Sequence, residues 1–147
     1  MPKFSFLVVG SLALLAAAVA AGGDDPPKSV EMEKAKALID NKDFKPAVLL
    51  LKAALAKAPN NADAWNLMGY AHRKLGQVDQ ALGFYQKALS LNAEHRGALE
   101  YLGELYLQTG RPKQAKEMLK RLDDAYFSGC EEYDDLKKAF QVAKVID

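Results

Sequence analysis

One cysteine, Cys130, stands in 147 residues, so no disulfide can form within the chain. It is expected to be buried and structural, with a bond to another chain as the alternative. Only two histidines occur, His72 and His95, and neither stands at metal-ligand spacing from the cysteine or a carboxylate set. His72 is expected to be packed, and His95, between two helices, exposed. Charge of one sign is also missing: 20 basic residues face 19 acidic ones. A near-neutral chain without a basic tract argues against nucleic-acid binding. No Asn-x-Ser/Thr glycosylation acceptor occurs. No nucleophile, base and orienting group fall into a catalytic set, so no enzyme, cofactor or metal is expected. The acidic pairs Asp123-Asp124, Glu131-Glu132 and Asp134-Asp135 lack the alternating ligands and glycine of a calcium loop. They read as solvated charge and helix N-terminal dipole partners.

What is present begins with an apolar N-terminus. Lys3 is the only charged residue among the first twenty, and Phe4 to Val19 is apolar apart from Ser5, Gly10 and Ser11. Ala18-Val19-Ala20 is a small-x-small site. This is the layout of a secretory signal peptide, residues 1–20, with cleavage expected after Ala20. The alternative is an uncleaved inner-membrane anchor, because the run is about long enough to reach across a bilayer. No cysteine near the site could carry a lipid. Without a glycosylation acceptor, a periplasmic or secreted bacterial protein is the simpler destination, with transient membrane association through the N-terminal segment. Residues 21–29 form a linker rich in Gly, Asp and Pro.

The stretch Ala62–Asn92 carries the clearest pattern. Trp65, Met68 and Gly69 lead one amphipathic segment; Ala81, Tyr85 and Ala88 lead the next; Leu75-Gly76-Gln77 joins them. Frames of equal length at 28–61, 62–95 and 96–129 repeat it without insertion. Ala35, Ala47, Ala54 and Pro59 match in the first frame; Leu99, Leu102, Gly103, Tyr106, Ala115 and Leu119 match in the third. Leu122 stands for a small residue there, and Phe127 for the proline. Glu31 takes the place of Trp65 in the first frame, which suits an end repeat whose outer face meets water. The pattern predicts helices over 30–41, 45–57, 62–75, 79–91, 96–109, 113–126 and 132–146. Asn61 is a candidate N-cap, and Pro46 and Pro112 fall in first turns, where a missing N–H costs nothing.

These residues resemble the tetratricopeptide repeat, whose signature sets Trp, Leu-Gly, Tyr, Ala, Phe, Ala and Pro at fixed offsets in about 34 residues. The resemblance implies an all-α fold: a right-handed α-solenoid of three hairpins over 30–127, closed by a C-terminal capping helix over 131–147. Gly69, Gly103 and Ala35 are expected where the first helix of each hairpin meets the second. Three repeats and a cap are enough to fold alone.

The resemblance also implies a function, an exported adaptor or scaffold that binds a peptide or protein partner in a concave groove. The alternative is a self-associating component of the cell envelope, and oligomeric state is left open. The groove positions carried over from the family are Ser29, Met32, Lys36, Ile39 and Asp40; Asp63, Asn66, Tyr70, Arg73 and Lys74; and Gly97, Glu100, Glu104, Leu107 and Gln108, with Tyr101 one place off. Tyr70 and Arg73 are the expected anchors. Repeats that clamp a chaperone's C-terminal carboxylate use Lys, Asn, Asn, Lys and Arg. Met32, Lys36, Leu67, Gly97 and Tyr101 stand at those places, so that activity is not implied here.

Overall fold

The computed structural model describes residues 29–126 and 129–144. The signal peptide, all but the last residue of the linker, and Phe127 lie outside the described residues. Among the described residues the elements are seven α-helices: α1 (Val30–Asp40), α2 (Phe44–Lys57), α3 (Ala62–Lys74), α4 (Val78–Leu91), α5 (Arg96–Gln108), α6 (Pro112–Ala125) and α7 (Glu131–Val142). The first six lie within one residue of the predicted spans. The seventh stops short of its expected end. Ala143 caps it, and Lys144 turns into the left-handed region at φ 54°, which a continuing helix of L-residues cannot hold.

Side chains set where α1, α3 and α5 begin. Ser29 Oγ accepts from the Met32 N–H at 3.4 Å, and Asn61 Oδ1 accepts from the Ala64 N–H at 3.0 Å. His95 caps α5, and its expected exposure is wrong. Its Nδ1 accepts from the Ala98 N–H at 3.1 Å, and its Nε2 lies 2.8 Å from Asp63 Oδ1. The cap buries one side of the ring, and the bond to α3 covers the other. Asp63 is held below the usual carboxylate range by the His95 bond, against the opposing effect of burial.

Helices α1, α3 and α5 also end alike. Gly76 N–H donates to Arg73 O at 3.0 Å, and Gln77 N–H donates to His72 O at 2.9 Å. The same pair of bonds recurs at Lys42 with Asp43 and at Gly110 with Arg111. Each turn needs a left-handed residue, at φ 63°, 77° and 69° for Lys42, Gly76 and Gly110. Lysine occupies that conformation at a cost of roughly 1 kcal/mol.

These turns fold α1 on α2, α3 on α4 and α5 on α6, and each hairpin packs against the next. Helices α1, α3, α5 and α7 also approach one another in sequence, whereas α2, α4 and α6 keep apart. The stack therefore bends with its odd helices on the inside. Tyr85 is fully buried at the centre. A Cβ at Gly69 would lie 2.6 Å from its ring, which explains the small residue where α3 meets α4. At Gly103 the nearest neighbour comes from α7. There the space is filled by Leu136 of α7, whose Cδ2 would be 2.6 Å from an added Cβ. Leu119 replaces the tyrosine of the preceding frame, and a leucine reaches less far across the crossing. Trp65 stacks on Phe84 with ring centres 5.8 Å apart and donates from Nε1 to Pro59 O at 2.8 Å.

His72 is packed, as expected. Its ring lies 4.8 Å from that of Phe84, and its Nδ1 lies 2.6 Å from Gln77 Oε1. At the outer end, Glu31 bonds Ser29 and pairs with Lys57 across α1 and α2, which holds its carboxyl down to about 2. Cys130 departs from its expected burial. It is half-buried at the residue before α7, with no capping bond from its side chain. Partial desolvation raises its thiol, the reverse of the shift a reactive thiolate needs.

Candidate functional site: the partner-binding groove

The inner face is built by the side chains that α3 and α5 turn away from the core. Tyr70 is its centre. Its ring lies 5.0 Å from Tyr101 and 6.2 Å from Phe44, and Lys74 Nζ stands 5.2 Å over it. Burial raises the Tyr101 phenol to about 12, with Glu100 and Tyr70 adding to the shift. On one side of Tyr70 a cavity of about 450 Å³ opens between α1, α2 and α3, lined by Ile39, Asp40, Lys42, Phe44, Tyr70 and Lys74.

Arg73 is not the free anchor expected of it. Its guanidinium forms an ion pair with Glu104 and donates from Nε to Gln108 Oε1 at 3.2 Å. It ties α3 to α5, and its side chain keeps 15% of its exposure. Beyond it lies a second cavity, of about 490 Å³, between α5 and α7.

Three predicted groove residues are withdrawn from the surface. Met32 is a core residue, 5% exposed, packed with Ala35, Leu51 and Met68; a long apolar side chain at the first hairpin has more to gain from that cluster than from water. Asn66 is buried between α3 and α5, and its Nδ2 would lie 3.0 Å from a Cβ on Gly97. Gly97 thus supplies room and no side chain. Glu100 is 8% exposed, yet it borders the second cavity. Lys36 stays on the surface and pairs with Glu33 at 3.5 Å.

Sequence reasoning missed the contribution of α7. Asp135, Lys138, Ala139 and Val142 line the second cavity. A signal was available, because α7 continues the repeat register: one more frame starts at Cys130 and sets Leu136 in line with Met68 and Leu102. Helix α7 stands in the register of the first helix of a further frame and packs against α5 and α6.

Two tetratricopeptide-repeat family models match, one over residues 32–95 and the other over residues 72–140. The chain carries tetratricopeptide repeats. Tetratricopeptide repeat protein 37 of Xenopus laevis is 31% identical over 115 residues, which is 77% of this chain and 7% of that protein. Superkiller complex protein 3 of Mus musculus is 39% identical over 75 residues, 51% of this chain and 5% of that protein. The chain therefore spans only 5–7% of the length of the curated relatives it matches. Among solved structures, MamA from Desulfovibrio magneticus superposes with TM-score 0.63 at 28% identity, over 67% of this chain and 55% of that one. The first tetratricopeptide domain of Spaghetti, bound to an HSP90 peptide, gives 0.68 at 18% identity over 78% and 91%. The Yersinia enterocolitica secretion chaperone SycD, in complex with a peptide of the translocator YopD, gives 0.67 at 14% identity over 78% and 90%. The last two likenesses show the fold of this tetratricopeptide stack.

Proposed function

We propose that this tetratricopeptide stack is a non-catalytic interaction module, an adaptor or scaffold that holds an extended peptide or partner helix along its concave face. The observation that carries this reading is the aromatic hollow at Tyr70. A half-buried tyrosine, flanked by Phe44 and Tyr101 and crowned by Lys74, borders an open cavity on the inside of the bend. Aromatic rings with a cation at the rim are what peptide-binding hot spots are made of. Fold likeness to proteins solved with bound peptides supports the same reading. Tyr70→Ala is expected to weaken peptide binding by about tenfold or more. Because the residue is only half-buried, the stack should stay folded. Titration of peptides selected from a random library, with melting curves alongside, checks both. Unchanged affinity would sink the assignment.

The apolar N-terminus supports export, so the module is assigned to the periplasm or the exterior of a bacterial cell. N-terminal sequencing of the protein recovered from a periplasmic extract is expected to begin at Ala21. Retention in the membrane with Met1 intact would instead establish an anchor.

A further inference from the structure

We propose that the hollow between α5 and α7 is a pocket for a lysine or arginine side chain of the bound peptide. This deepens the groove reading above and rests on it. The charges around the hollow nearly cancel, with one left over. From α3, Arg73 is engaged by Glu104 and Gln108. From α7, Lys138 is engaged by Asp135 at 2.8 Å. Glu100 of α5 is more than nine-tenths buried and borders the cavity, and no hydrogen bond or ion pair reaches its carboxyl among the described residues. A buried carboxylate without a partner is an expensive state. The molecule avoids it by protonation: burial, then Glu104, Asp135 and Glu132, push the carboxyl up to about 8, with Arg73 opposing.

A guest cation would remove the need for that proton. An ammonium or guanidinium at the Glu100 carboxyl supplies the missing charge and hydrogen bonds. Leu107, Ala139 and Val142 form apolar walls for the methylene stem, and among the described residues Val142 is 84% exposed. An acidic side chain would meet Glu104 and the carboxyls of Glu132 and Asp135. A neutral one would leave Glu100 as it is. Lysine and arginine are the side chains that match both the charge and the walls.

Random acetylated peptide amides, panned on the purified chain, supply the probes. The best binder is compared with versions carrying norleucine at each basic position. One basic residue is expected to matter, its replacement weakening binding by about tenfold or more. Glu100→Gln should weaken the basic peptide by a similar factor and leave the norleucine peptide unchanged. Calorimetry at pH 7 in buffers of different ionisation enthalpy should show release of about one proton with the parent protein and none with Glu100→Gln. A binder indifferent to norleucine, or equally tight on Glu100→Gln, overturns the pocket and leaves the groove standing. If no peptide binds, the groove reading falls and the pocket with it.

Discussion

Glu100→Gln is expected to be more stable than the parent protein at pH 8 and indistinguishable from it at pH 4. The buried carboxyl is raised from 4.5 to about 8, by burial first and by Glu104, Asp135 and Glu132 after it. Below about pH 4.5 the group carries its proton whether the chain is folded or unfolded, and its contribution is fully present. Between 4.5 and 8 the unfolded chain gives up the proton while the folded chain keeps it, so stability falls as pH rises. Each pH unit in that window is worth up to about 1.4 kcal/mol, and water reaching the carboxyl through the cavity reduces the sum. The gap between the two proteins should open from zero to about 2–3 kcal/mol at pH 8. Glutamine keeps the shape and cannot ionise. Asp63 works in the opposite direction, since its lowered carboxyl contributes stability that is lost on acidification; it is common to both proteins and cancels in the difference. Urea denaturation at several pH values reads the gap from the midpoints at constant slope. Parallel curves for the two proteins would show that Glu100 is already ionised in the folded state.

That carboxyl also marks where sequence stopped being sufficient. The repeat register predicted six helices within a residue, because small residues at crossings and left-handed turns are local demands written in single side chains. Gly76 and Gly110 could be read directly; Lys42, in the same conformation, could be placed only because the frames align. Groove positions transferred less well. A family position says which way a side chain leaves its helix, not what another helix does to it. Glu100 points inward as carried over, but α7 lies against α5 and buries it. Arg73 points inward too, and Glu104 one hairpin away captures it. Met32 leaves α1 toward the cluster of Ala35, Leu51 and Met68, and that packing turns it to the core. His95 was read from its place between helices, whereas its role comes from a ring nitrogen able to stand where asparagine stands at Asn61.

Leu136→Ala is expected to cost about 2–5 kcal/mol, and the loss should be largely local to α7. Leu136 is fully buried and is the side chain that α7 drives into the gap above Gly103. A shorter residue leaves a void there, and among the described residues α7 is held only by α5 and α6. Gly103→Ala attacks the same contact from the other side. Its new methyl would sit 2.6 Å from Leu136 Cδ2, an overpacking that costs about 1–3 kcal/mol, relieved in part by the better helix propensity of alanine, about 1 kcal/mol. The two changes are complementary, because the methyl added at 103 enters the volume vacated at 136. The double variant should therefore lose less than the two single losses together, by about 1 kcal/mol or more. Chemical denaturation of the four proteins closes the cycle, and strict additivity would mean that Gly103 is small for some reason other than α7. A second readout ties the contact to the pocket. Glu100 depends on α7 for its burial and on Glu132 and Asp135 for part of its raised value. Loosening α7 by Leu136→Ala should let that value fall toward the ordinary carboxylate range, so the proton released on binding a basic peptide should shrink before the stack itself unfolds.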